Sequence, residues 1–259
     1  MRLRTIAIAV PLLLGAAARA QLHSGDVVLT VSEGRVVTGT GNPSSGTYAE
    51  ARIFGATLGN PFPNYTNNPG FDCLAGTFPV GSAVGFNILD RLLVWNGSSF
   101  EPTGGEVMQV SFLSASATSG EGPVQGFTVG VSGTGSWHNH LGYLLQQGAS
   151  PTFDNGVYML QLELFGTAPN HAPSKPLFKL FRRNAPQADL DAAAAYVAAN
   201  LLNTSIPGDA NGDGVVNFAD LNIVISNFNT SGPGIPGDLD GDGDVDFADL
   251  NEVLSNFNT

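Results

Sequence analysis

A chain of 259 residues with 42% hydrophobic residues is long enough for one full-sized domain plus a small one, and this composition excludes wholesale disorder. Its formal net charge of −12 argues against nucleic acid as a partner, because phosphate backbones select basic surfaces. The single cysteine, Cys73, excludes an intrachain disulfide and reads as a small buried thiol within "PGFDCLAG".

In chain order, residues 1–20 come first. "MRLR" is a basic start, "TIAIAVPLLLGAAA" an apolar run, and Ala18-Arg19-Ala20 supplies small residues around a cut before Gln21. That architecture predicts a secretory signal peptide and an extracellular destination. A membrane anchor would need about 20 apolar residues, and no later segment is apolar enough to span a bilayer. Without Arg2, Arg4 and Arg19 the remaining chain has seven basic residues against 22 acidic ones.

Residues 21–184 carry short Val-, Phe- and Thr-containing runs punctuated by turn formers; the chain has Gly 33 and Pro 16. Nine runs predict strands: 26–31, 34–39, 84–89, 92–95, 107–113, 126–131, 141–146, 157–165 and 176–181. In 157–165, Tyr158, Leu160, Leu162 and Leu164 form the apolar face of an alternating strand. With no helices between the strands, a mostly β fold is expected, an antiparallel sandwich or jelly roll. "ADLDAAAAYVAANLL" then predicts a short helix inside a connecting segment, 185–205.

The final segment, 206–259, holds ten acidic residues and no Lys or Arg. It also repeats: 206–230 and 235–259 agree at 19 of 25 positions. With Asp209 as position 1 of a twelve-residue loop, oxygen side chains fall at Asp209, Asn211, Asp213, Asn217 and Asp220, with Gly214 at position 6. The second copy places Asp238, Asp240, Asp242, Asp246 and Asp249 likewise, with Gly243 at position 6. Val215 and Asp244 stand at position 7, where a backbone carbonyl coordinates. Ca²⁺ takes six to eight oxygens at about 2.3–2.6 Å, and this spacing turns alternate side chains inward around a glycine turn. Transition metals would select His or Cys, which the segment lacks. After each loop an apolar stripe follows at helical spacing: Leu221, Val224, Ile225 and Phe228, then Leu250, Val253, Leu254 and Phe257. Val216 and Val245, at position 8, are expected to join the two loops by a short backbone contact.

Two such loops, each followed by one helix and each ending in Asp at position 12, resemble a type I dockerin over the whole of 206–259. The resemblance implies a small all-α, EF-hand-like module with two calcium ions, folding on calcium, and docking onto a cohesin-like partner. Such assemblies are often extracellular and polysaccharide-degrading. Positions 10 and 11, which read the partner in that family, are Phe218-Ala219 and Phe247-Ala248 here instead of small hydroxyl residues. The wording "HSGDVVLTV", "VWNG", "WHNHLGYLL" and "GVYMLQLEL" also resembles exported bacterial β-sandwich proteins with sorting or dockerin tails.

Two further constellations bear on function. His138 and His140 share a face if "WHNHLGYLL" is extended, which is the start of a metal site as in cupin-type sandwiches, with His23 or His171 as third ligand. The alternative is structural, imidazoles hydrogen-bonded within a strand end. Trp95, Phe100, Phe127, Trp137 and Tyr143 would either line up as a sugar-stacking platform or fill the core. No nucleophile elbow, zincin helix or phosphate loop is present, and Glu101, Glu106, Glu121, Asp154 and Glu163 fall in no catalytic motif. The predicted function is therefore a tethered binding or structural domain. The alternative is a carbohydrate-active, glycoside hydrolase-like enzyme on the same tether.

Overall fold

The computed structural model describes residues 25–202, 206–211, 215–232, 235–240 and 242–258. The expected signal peptide, His23, Asp213 and Gly214 lie outside the described residues. All nine predicted strands form, with ends within two residues of the sequence boundaries. Six further short strands appear in the same region: Ala49–Glu50, Ile53–Thr57, Tyr65–Thr66, Phe71–Asp72, Phe100–Pro102 and Ala115–Thr118. Each is too short or too interrupted to show a period of its own.

Among the described residues the chain is mostly β with three α-helices: α1 (Gln187–Asn200), α2 (Phe218–Ser226) and α3 (Phe247–Ser255). Two four-stranded sheets and one seven-stranded sheet make up residues 25–183. Pairing is mixed where an antiparallel arrangement was expected. Ile53–Thr57 runs parallel to Leu177–Arg183, and Phe71–Asp72 parallel to Val27–Ser32. Both parallel partners are short strands unpredicted by pattern, so pairing partners, not periodicity, set the direction.

One buried cluster joins the three sheets, and Tyr158, Leu160, Leu162 and Leu164 enter it as the alternation predicts. The opposite face of the same strand is buried too. Val157 and Met159 meet Phe178, Leu180, Ala193 and Val197 in a second cluster beneath α1. The alanine-rich helix, expected as part of a connector, therefore covers the outer face of the seven-stranded sheet. The missing side chain at Gly55, in the strand Ile53–Thr57, permits the approach: a Cβ there would lie 3.2 Å from Leu190 of α1. Val197→Ala is expected to lower the urea-unfolding stability of the β-rich part by about 2 kcal/mol. A neutral result would detach α1 from the sheet.

The aromatic residues do not form one platform. Trp137 and Tyr143 are buried in the main core, and Phe127 packs edge-on against Phe86. Trp95 and Phe100 instead form a cluster with Tyr196 of α1. No described helix is long and apolar enough to cross a membrane.

Candidate functional site

The two halves of the C-terminal segment are built alike because the same residues cap the same turns. Asn217 stands before α2 and accepts the Ala219 N–H; Asp246 stands before α3 and accepts the Ala248 N–H. Asp220 and Asp249 close the reciprocal capping box three residues later. These position-12 carboxylates are buried, at 0% and 1% exposure, and hold the loops together. Asp220 accepts from the Asn211 and Asn217 amides at 3.1 and 2.9 Å. Asp249 accepts from the Leu239, Asp240 and Asp246 amides at 2.7, 3.4 and 2.7 Å. A carboxylate has about four acceptor positions, so each retains capacity for a cation.

Between the halves a pseudo-twofold relation holds. Val216 and Val245 are both fully buried in one cluster with Val224 and Val253. The sequence led us to expect a backbone contact between these two, but their carbonyls take other partners. The Val245 carbonyl accepts from the Asn229 amide and the Val216 carbonyl from the Asn258 amide, both at 2.8 Å. The chain leaving each helix thus ties down the loop of the other half, through Asn229 and Asn258 in the left-handed region, at φ 59 and 63°. A two-stranded ribbon, Thr230–Ser231 with Asp244–Val245, extends one of these ties, so the module is not purely helical. Gly208 and Gly237, at φ 91 and 96°, let the loops touch the opposite helices; a Cβ there would meet Glu252 O and Val224 Cα at 2.8 and 3.1 Å.

Three of the expected positions, all in the second loop, lie together. One carboxylate oxygen from each of Asp238, Asp240 and Asp242 lies within 4.8 Å of the others. Backbone amides of the loop point inward among them: Gly243 donates to Asp238 at 3.2 Å and Asp244 to Asp242 at 3.1 Å. The Asp242 charge lifts the Asp244 carboxyl above its usual range, a sign of crowding that a cation would relieve. Asn217 and Asp246, expected as direct ligands at position 9, are engaged in capping. That fits ligation through water, the frequent arrangement at this position. Phe218 and Phe247 stand 70% and 67% exposed, each edge-on to a phenylalanine of the other half, Phe257 and Phe228, at 5.0 Å. Ala219 and Ala248 are exposed beside them.

In the β-rich part, His138 and His140 do share a face, with ring centroids 5.1 Å apart. Of the two expected third ligands, His23 lies outside the described residues and His171 is placed elsewhere, packed on Phe78 and facing the Pro169 carbonyl. Asp26 and Asp72 meet them instead. His138 Nδ1 lies 3.9 Å from Asp26 Oδ2 and 3.3 Å from Asp72 Oδ2, and His140 Nε2 lies 3.5 Å from Asp26 Oδ2. Spacing in the sequence could not pair residue 26 with residue 140. The usable signal was an aspartate at each end of a short apolar run, "GDVV" and "GFDC", a position that burial penalises unless a partner waits.

The scattered acids include one close association: buried Glu106 accepts from the Asp154 amide at 3.0 Å and from the Tyr158 hydroxyl at 3.4 Å. Cys73 is fully buried, accepts the Trp137 N–H, and has its thiol pushed up to about 11 by burial, as befits a structural residue. No protein-family model matches the chain, and no curated protein matches it.

Proposed function

We propose that residues 206–259 form a dockerin-like, EF-hand-like module which binds two calcium ions and tethers a secreted β-sandwich domain to a cohesin-like partner. The observation that carries this reading is the duplicated, pseudo-twofold pair of loops. Acidic side chains converge at loop positions 1, 3 and 5 of the second copy, and a buried aspartate closes position 12 of both. The ligands fit a hard cation, since all are oxygens and none is His or Cys. In loop one Asp209, Asn211, Asp213, the Val215 carbonyl, Asn217 and Asp220 would hold the ion. In loop two it would be Asp238, Asp240, Asp242, the Asp244 carbonyl, Asp246 and Asp249. Bound calcium neutralises the loop charge and thereby couples folding to metal.

Docking is supported by the apolar surface that the twofold repeats. Phe218 with Ile225, and Phe247 with Leu254, leave four large side chains between 53% and 70% exposed on a segment of only 54 residues. Apolar side chains exposed in matching pairs mark a face for a partner. A partner could use either face. Removing calcium from the full chain with a chelator is expected to abolish hydrogen-exchange protection across α2 and α3 while the β-rich part keeps its own. Capture of a secreted partner by the full chain should be lost with chelator and weakened by Phe218→Ala combined with Phe247→Ala. Unchanged exchange in α2 and α3 on chelation would refute the calcium reading. Loop two, with five carboxylates against three in loop one, is expected to bind more tightly at low salt.

A further inference from the structure

Asp26, Asp72, His138 and His140 arrive from three distant stretches of chain and are held there by backbone. The strand Val27–Ser32 pairs with Phe71–Asp72, which brings the two aspartates to one end of a sheet. Phe71 and Asn139 then exchange both backbone hydrogen bonds, at 2.9 and 3.0 Å, so the histidines on either side of Asn139 turn toward the aspartates. Trp137, buried and bonded through its ring N–H to the Val129 carbonyl, anchors the histidine segment from behind.

Each of three side chains is aimed by its second polar atom. Asp26 Oδ1 accepts from the Gly70 amide at 2.9 Å and Asp72 Oδ1 from the Cys73 amide at 2.8 Å. Oδ2 of both faces the imidazoles. His140 Nδ1 lies 3.0 Å from the Asn67 carbonyl, which can only accept, so Nδ1 donates there and Nε2 faces Asp26. This is the outer-shell pattern that orients metal-ligating histidines. Gly70 makes room for it: a Cβ there would lie 2.7 Å from the His140 ring.

The separations decide between two explanations. Imidazolium–carboxylate hydrogen bonds run at about 2.7–2.9 Å, shorter than the 3.3, 3.5 and 3.9 Å found here. Ligands at about 2.0–2.2 Å around a tetrahedral ion stand roughly 3.3–3.6 Å from one another. His140 Nε2 and Asp26 Oδ2 stand at such a separation, and the ligand atoms of Asp26, His138 and His140 all lie within 4.8 Å of one another. Two imidazole nitrogens with a carboxylate oxygen suit a borderline ion of the Zn²⁺ type and disfavour Ca²⁺, which selects oxygen alone. The aspartate side chains are buried at 5% and 7% exposure, whereas the imidazoles are 36% and 29% exposed, so one edge of the cluster faces solvent.

We propose that Asp26, His138 and His140 bind one divalent ion of the Zn²⁺ class, with Asp72 beside His138, in a site separate from the calcium loops and different in chemistry. The test uses the full chain, stripped of metal and then saturated with CaCl₂ so that the oxygen-lined loops are filled. Titration with ZnCl₂ is expected to register one further equivalent per chain. His138→Ala and His140→Ala should each weaken it by at least about 10-fold, and His171→Ala should leave it unchanged. Co²⁺ in place of Zn²⁺ should give a d–d absorption band that His138→Ala removes. The site is refuted if calcium-loaded wild-type chain takes up no zinc equivalent. It is equally refuted if both histidine variants, with unchanged circular dichroism, bind zinc as wild type does. The wild-type titration decides the matter even where a variant fails to fold.

Discussion

Asp249→Ala is expected to unfold the C-terminal module even in saturating calcium. The carboxylate is 1% exposed and accepts from three backbone amides, from Leu239 and Asp240 at the loop entrance and Asp246 at the helix start. Hydrogen bonds to a charged acceptor contribute about 1.5–3 kcal/mol each, and an orphaned buried amide costs about 1–3 kcal/mol. Because one of the three contacts is long, the summed loss is about 3–5 kcal/mol. A module of this size commands a stability of the same order. The expected readout is loss of exchange protection in α2 and α3 with the unfolding of the β-rich part unchanged. Asp220→Ala should act in the same way, since it occupies the matching place in the other half. Asp242→Ala separates ligation from scaffolding. Asp242 is exposed and only turns the loop, so its loss should weaken calcium binding without dismantling the fold. Equal behaviour of Asp249→Ala and Asp242→Ala would contradict the scaffolding role of the buried aspartate.

Lys179→Ala should produce a loss of similar size in the β-rich part. Lys179 lies on the inward face of its strand, between Leu177 and Phe181, and is fully buried. Its ammonium donates to the Pro69 carbonyl at 2.7 Å and sits 4.7 Å from the Phe71 ring centre and 4.2 Å from that of Tyr143. Burial pushes its pKa down to about 7, against the opposing pull of Asp26. Truncation removes a packed four-carbon stem and leaves a cavity, a change worth about 2–5 kcal/mol for long core side chains. Cation–π contact in a desolvated setting adds about 2 kcal/mol to what is lost. Lys179→Met keeps the volume and discards the charge. It should cost less than about 2 kcal/mol, because shedding a buried charge offsets the lost contacts. Urea unfolding monitored on the β-rich part measures both variants. Similar losses in Ala and Met variants would assign the effect to the charge and its Pro69 partner, not to packing.

Several features were legible along the chain because their physics is local. Alternation in 157–165 marked one face of a strand, since side chains in extended backbone point to opposite sides. The C-terminal loop pattern was equally local: its acidic positions and its helix cap lie within twelve residues, so spacing alone brings them near one another. The i, i+2 histidines were placed on a common face for the same reason. Local spacing failed where the counterpart lay far away. Val216 and Val245 sit at matching loop positions, yet their backbone partners are Asn258 and Asn229 across the pseudo-twofold.

By itself, then, the sequence determined a mostly β chain ending in a duplicated acidic loop-helix unit, because period, turn residues and ligand spacing act over a few bonds of chain. Tertiary structure alone decided that Asp26 and Asp72 face His138 and His140, that a lysine points into the core, and that α1 lies on a sheet. These arrangements depend on which strands pair and in what register. Such pairing is chosen by burial and hydrogen bonding summed over the whole fold, between residues that lie from about ten to more than a hundred positions apart.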